Sequence, residues 1–237
     1  MKHVVVTGAS SGIGLEFVQQ FLDSGARVIA GSRSAPRSEE LADLASTHGD
    51  RLVIRAIDVG DAGSRSDFAD VVRERFESLD VLVNAAGIIA GDEETISVFG
   101  ALDQDELART FLINSIAPLM MTELVYPLLV EGDRPIVVNI SSLNGSIALW
   151  DRRGKYSYCA SKAALNMITK TLSIELRDAG VRVIAFHPGW VKTWMTRHEP
   201  APMEPAHSVE GMMRLIETLT PEASGSFLAW NGEAVPW

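Results

Sequence analysis

The chain has a single cysteine, Cys159, in 237 residues. One thiol excludes an internal disulfide framework and any metal site built from several cysteines. The five histidines show no metal-ligand spacing, so no metal is expected. Positive charge is scarce too: 21 Lys and Arg stand against 31 Asp and Glu, a formal net charge of −10. That balance argues against nucleic acid or an anionic membrane as partner, while leaving room for a local basic pocket. No apolar run is read as long enough to span a bilayer. The N-terminus reaches Gly8 too soon to hold a signal peptide, and the cytoplasm is the expected location. Gly-x-Ser-x-Gly and an obvious Ser-His-acid set are also missing, which argues against a serine hydrolase.

Apolar residues make up 46% and charged residues 22%, enough for a sizeable core. The length fits one α/β domain spanning residues 1–237. Short β-branched runs alternate with stretches of helical periodicity, a pattern that predicts a parallel sheet covered by helices. Val4-Val5-Val6 reads as a strand, and Thr7-Gly8-Ala9-Ser10-Ser11-Gly12-Ile13-Gly14 follows it into a helix marked by Phe17, Val18, Phe21 and Leu22. Glycines at such a turn let the backbone approach a pyrophosphate, and the helix N-terminus offers free N–H groups. Arg27–Ala30 is the second strand, with Ser32 and Arg33 after it. An acid here would bind a ribose and an arginine a 2′-phosphate, so either Arg33 selects NADP over NAD or it is a solvated loop charge.

Pro36–His48 is expected to be a short helix, and Leu52–Ile57 the third strand. At that strand's end Asp58 either contacts an adenine or caps the following turn. Val81-Leu82-Val83 leads into Asn84-Ala85-Ala86-Gly87, small residues that admit a flat ligand. Residues 88–102 read as a surface loop, and Glu106–Val130 as one long helical segment that Pro118 distorts. Asn114 within it is either a local backbone cap or part of a site. Ile136–Ile140 is a continuous apolar strand ending at Ser141-Ser142.

A loop then leads to Tyr158-Cys159-Ala160-Ser161-Lys162 at the start of a long helix. Four residues apart, Tyr158 and Lys162 share a face. A fixed ammonium favours a phenolate, so Lys162 is expected to lower the Tyr158 pKa and make it a general acid or base. Cys159 beside it reads as a packing residue. Val181–Phe186 is the sixth strand, His187 a strand-end structural residue, and the stretch through Pro200, Pro202 and Pro205 a cover that orders on substrate. His198 is a possible substrate contact. Val209–Leu219 is the last helix and Phe227–Trp230 the last strand. Trp190, Trp194, Met195, Met212 and Met213 belong either to core and interface or to a hydrophobic substrate pocket.

Five motifs in order resemble the short-chain dehydrogenase/reductase family: the glycine turn 7–14, Asn84-Ala85-Ala86-Gly87, Asn114, Ser142 with Tyr158-x-x-x-Lys162, and Pro188-Gly189. The run from Tyr158 to Met167, His187–Thr193 and the closing Val235-Pro236-Trp237 are most similar to the C-factor and sniffer-type carbonyl reductase branch. That resemblance implies a Rossmann-type, doubly wound, mostly parallel seven-stranded sheet. It implies NAD(P)-dependent interconversion of a carbonyl and an alcohol on a small hydrophobic substrate, NADP being favoured, in a homodimer or homotetramer. Tyr158 would exchange the proton, Lys162 would tune it and hold the nicotinamide ribose, Ser142 would bind the reacting oxygen, and Asn114 would anchor a relay water. The cofactor cradle would comprise Gly8, Ser10, Ser11, Gly12, Ile13 and Gly14 at the pyrophosphate and Ser32 with Arg33 at the 2′ position. Asp58 would face the adenine, Asn84 the adenosine ribose region, and Val191 with Thr193 the carboxamide, with Val59, Ala85, Gly87, Pro188 and Gly189 also in the cofactor site. Two departures stand out: a longer Ser142–Tyr158 loop, and Ser11 where NADP enzymes of the family often carry a basic residue. The C-factor likeness also implies a competing reading, a cofactor-binding signalling protein with vestigial catalysis. A nucleotide-sugar epimerase would need a larger substrate-binding addition than this length allows.

Overall fold

A computed structural model describes residues 1–89, 97–196 and 201–237. Seven strands form one sheet: β1 (His3–Thr7), β2 (Arg27–Ser32), β3 (Leu52–Ala56), β4 (Val81–Asn84), β5 (Ile136–Ile140), β6 (Arg182–His187) and β7 (Phe227–Ala229). Their spatial order is β3-β2-β1-β4-β5-β6-β7. The six pairings among the described residues are parallel; an isolated antiparallel bridge joins Leu228 in β7 to Ala234. Parallel neighbours need crossovers, and helices supply them on both faces.

The helices are α1 (Gly12–Asp23), α2 (Glu39–His48), α3 (Ala62–Arg75), α4 (Gln104–Phe111), α5 (Ala117–Leu129), α6 (Tyr156–Glu175) and α7 (Pro205–Thr218). Strand side chains alternate between faces. Val4, Val6, Val28, Val81, Val83 and Val138 join Phe17, Phe21 and Met212 in one apolar layer. Val5, Ile29, Leu82 and Val137 join Phe68, Met121, Val125 and Leu172 in the other. Hence the strands read as continuous apolar runs: both sides are covered.

Several boundaries move from where periodicity alone puts them. The helix expected from Pro36 begins at Glu39, because Ser38 accepts a capping bond from Leu41 N, while Pro36 sits in a separate turn, Ala35–Arg37. The last helix begins at Pro205 rather than Val209, since a proline in the first turn gives up no intrahelical bond. The long segment through Val130 is broken by a π turn, Leu112–Ile116. Pro118 has no N–H for the Asn114 carbonyl four residues earlier, so the ladder has reason to slip there. Gln104–Leu129, taken together, is apolar enough by length and composition to cross a bilayer, contrary to the reading of its sequence. Of its most apolar window, however, 56% is buried within the fold.

Candidate active site

The strand order reverses between β1, which continues to β2, and β4, and open parallel sheets bind ligands at their carboxyl ends near such a point. The glycine turn lies there. A Cβ on Gly8 would come 2.6 Å from Ala86 N, and one on Gly14 would come 2.2 Å from the Gly8 carbonyl oxygen. A side chain at Gly8 would push the turn off the backbone after β4, and one at Gly14 would push α1 off the turn. Gly12 (φ 54°) faces the Thr193 methyl. Ser11 precedes α1 in extended conformation without a side-chain cap bond, and the first turn of α1 carries no acid. Such a terminus suits an anion.

At the end of β2, Ser32 is buried and its Oγ has no protein partner. Arg33 next to it is exposed. Ser34 Oγ donates to Ser10 Oγ at 3.1 Å, tying this loop to the glycine turn. Asp58 turns its carboxylate on its own chain, accepting from Gly60 N at 2.9 Å, so the turn-closing reading is the one its geometry supports. Val59 is buried in the apolar layer that holds Val5 and Phe68.

Asn84 is the last residue of β4 and is buried. Its side chain is 3% exposed and donates to Asn139 Oδ1 at 2.9 Å; Asn139 in turn donates to Thr169 Oγ1 at 2.9 Å. This amide ladder joins β4, β5 and α6 inside the protein and engages the Asn84 side chain there. The register pairs Asn84 with Asn139, a match invisible until the strand order is known.

Asn114 lies in the π turn. Its Oδ1 accepts from Ile88 N at 2.8 Å, while Nδ2 donates to Ile88 O at 2.9 Å and to Ser161 Oγ at 3.0 Å. It is a backbone cap, as one reading had it, but of a segment distant in sequence. Between Asn114 and Lys162 sits Gly87, whose Cβ would lie 3.4 Å from Asn114 Oδ1 and 3.6 Å from Lys162 Nζ. Ser142 starts the turn after β5, accepting from Asn144 N at 3.2 Å. Gly145 in that turn packs on Lys162 backbone and Cβ, and its carbonyl accepts from Asn166 Nδ2 at 3.1 Å. Asn166 also accepts from Ser141 Oγ at 2.6 Å. Neither Asn139 nor Asn166 was singled out from sequence; polar residues inside apolar strand and helix patterns were the available signal.

Tyr158 and Lys162 come together as the spacing requires, with Nζ 5.8 Å from the phenol ring centre. Their electrostatics correct the expectation. Burial raises the Tyr158 pKa above the ordinary phenol value, with its Ser142 hydrogen bond pulling the other way. Burial lowers Lys162 to about 8, and its Nζ donates to Ile140 O at 2.8 Å. Desolvation outweighs the ammonium because both groups are nearly out of reach of water. Burial likewise pushes the Cys159 thiol up to about 11, which fits a packing residue rather than a nucleophile.

His187 accepts from Leu143 N through Nδ1 at 3.3 Å, and burial lowers its pKa to about 4. It is a neutral brace between β6 and the Ser142 turn. Pro188 O accepts from Ser208 Oγ at 2.5 Å. Gly189 has φ 88° and leaves no room beside Met203 and Trp230. Val191 bridges Met203. Thr193 N donates to Thr196 Oγ1 at 3.0 Å. A cavity of about 560 Å³ lies between Gly12, Leu15 and Glu16 on one side and Lys192–Trp194 on the other; it adjoins the glycine turn, and Tyr158 does not line it. Met212 is core, whereas Trp190, Trp194 and Met195 are exposed. His198 and Pro200 lie outside the described residues. Among the described residues no cluster of His, Cys, Asp or Glu could hold a metal.

An open parallel sheet, a glycine turn closed to any side chain and a Tyr-Lys pair at the same edge define a Rossmann-type nucleotide-binding protein. Residues 2–204 match the model of the short chain dehydrogenase family, and the chain belongs to that family. It is 40% identical over 162 residues to C-signal of Myxococcus xanthus, covering 67% of this chain and 93% of that one. The NADPH-bound carbonyl reductase from chicken fatty liver is 34% identical, with 100% of this chain and 99% of that one covered and a TM-score of 0.90. Carbonyl reductase Sniffer of D. melanogaster is 28% identical over the full length of both, with a TM-score of 0.92.

Proposed function

We propose that the protein is an NADPH-dependent reductase of a small, hydrophobic carbonyl compound, able to run in reverse as an alcohol dehydrogenase. What carries the reading is the convergence of Asn114, Ser142, Tyr158 and Lys162 beside a glycine turn that admits no Cβ. The turn and the uncapped start of α1 suit the pyrophosphate of NADPH, and the unpartnered Ser32 Oγ with exposed Arg33 suit its 2′-phosphate. NADPH held there supplies the hydride.

The chain's own residues handle the proton. A phenol kept protonated by burial is available as a proton donor at neutral pH. Ser142 and Tyr158 hydroxyls donate to the carbonyl oxygen as it becomes an alkoxide. The Lys162 ammonium, held near the ring, stabilises the phenolate left behind and is positioned for the nicotinamide ribose. Both Asn114 side-chain N–H groups are already engaged. Its part in a water relay therefore falls to the main-chain carbonyl, which Pro118 leaves without the usual helical donor. Exposed Leu143, Leu149 and Trp190, on the turns after β5 and β6, suit an apolar substrate. Exposed Tyr126, Met167 and Ile174 on α5 and α6 suit pairing of subunits, and the cytoplasm suits such an enzyme.

The C-signal likeness supports a second reading, a nucleotide-binding signalling protein that does not turn over. Purified protein assayed with NADPH against aldehydes, ketones and quinones separates the two. Tyr158→Phe is expected to keep NADPH affinity and to lose turnover by about 10²–10⁴-fold. Equal turnover in variant and wild type would refute the catalytic role.

A further inference from the structure

The helix that carries Tyr158 does not cap itself. Lys155, just before α6, is in the left-handed region (φ 56°) and its side chain makes no capping bond. The first N–H groups of a helix have no partners within it, and here they are met from a segment sixty residues away in the chain. Ser97 Oγ accepts from Ser157 N at 3.2 Å, |i−j| being 60, and Ser97 O accepts from Tyr156 N at 3.5 Å. Ser157 Oγ donates to Glu106 Oε1 at 3.0 Å. Glu106 is itself fixed in the first turn of α4, where its N–H donates to Asp103 Oδ1 at 3.2 Å. Ser97 is 1% exposed and Ser157 fully buried, so water does not readily replace these bonds. Ser97 also holds φ 45°, a conformation uncommon outside glycine that persists only where its surroundings insist on it.

We propose that Ser97 and Glu106 are positioning residues for Tyr158: together they satisfy the N-terminal groups of α6 and thereby set where the phenol stands. This rests on Tyr158 being the proton donor. Ser157 precedes Tyr158 directly, so a loosened first turn displaces the hydroxyl. Displacement of about 1 Å can lower turnover by as much as ~10²-fold. Cofactor contacts at the glycine turn lie on other elements and are not expected to change.

Ser97→Gly removes the hydroxyl while relieving the positive φ, so the variant is expected to fold. Ser97→Asn returns an acceptor on a residue that tolerates that conformation. The measurements are kcat and KM for a carbonyl substrate accepted by the wild type, the NADPH Kd, and amide hydrogen exchange at Ser157. In Ser97→Gly, exchange at Ser157 should quicken by about fivefold or more, the cost of leaving a buried N–H unpaired, and kcat should fall about tenfold, with the NADPH Kd unchanged. Ser97→Asn should restore both. Wild-type kcat and exchange in Ser97→Gly, or no recovery in Ser97→Asn, would overturn the positioning role while leaving the enzymatic reading intact. A wild type that reduces no carbonyl with NADPH would instead remove the enzymatic reading, and this role with it.

Discussion

Replacing Lys162 by methionine keeps the length of the side chain and removes the ammonium of a residue that is 5% exposed. Burial lowers the lysine from 10.5 to about 8, a shift of about 2.5 units, or roughly 3 kcal/mol at ~1.4 kcal/mol per unit. The sign follows from proton uptake. Between those two values the unfolded chain still holds the proton and the folded chain does not, so stability rises with pH across that window. Below about pH 8 the full penalty applies. Against it stands the bond from Nζ to Ile140 O, worth roughly 1.5–3 kcal/mol for a charged donor. The net effect of Lys162→Met near neutral pH is therefore small, about 0–2 kcal/mol in the variant's favour, although reductase activity is lost. Urea unfolding of both proteins without cofactor, followed by tryptophan fluorescence from about pH 7 to pH 10.5, checks the reasoning. Wild type should gain roughly 3 kcal/mol on the variant over the upper part of that range. Parallel pH dependences would show that Lys162 is not held in a desolvated state, and the placement of its ammonium near the phenol would fall with it.

Three further outcomes are expected. Gly14→Ala puts a methyl 2.2 Å from Gly8 O, so α1 must move; NADPH titration should show at least a tenfold weaker Kd, and thermal unfolding a loss of about 1–3 kcal/mol, whereas normal binding would mean the turn does not cradle the cofactor. Arg33→Ala should raise KM for NADPH by about tenfold or more, the worth of a charge-assisted contact, and leave KM for NADH alone; an unchanged ratio would make Arg33 a solvated loop charge. His187 has its pKa lowered from 6.5 to about 4, so wild-type stability should decline as pH falls through that interval, by at most ~3 kcal/mol, and His187→Gln should lose less over the same range; identical acid profiles would contradict a buried neutral imidazole.

Much of the site was legible in the sequence because it depends on local spacing. Tyr158 and Lys162 share a helix face by geometry alone, and three glycines after a β-branched run announce a turn that the backbone itself must line. The alternation of apolar strands and helices was enough for a parallel sheet covered by helices, since strands covered on both faces cannot alternate in polarity; the doubly wound order came from the family resemblance. Gln104–Leu129 was harder: its periodicity is helical throughout, and the π turn arises from one missing N–H at Pro118.

Composition and period determined the strands, the helices, the glycine turn and the Tyr-Lys pair, because each follows from which neighbours a residue has within a few positions. Tertiary structure alone decided that Asn84 faces Asn139 and that Asn114 braces Ile88. It decided too that Ser97 caps α6, and that burial rather than the nearby ammonium sets the acidity of Tyr158. Those outcomes depend on which segments pack together and how much water they exclude, quantities that come into being only when residues distant along the chain meet.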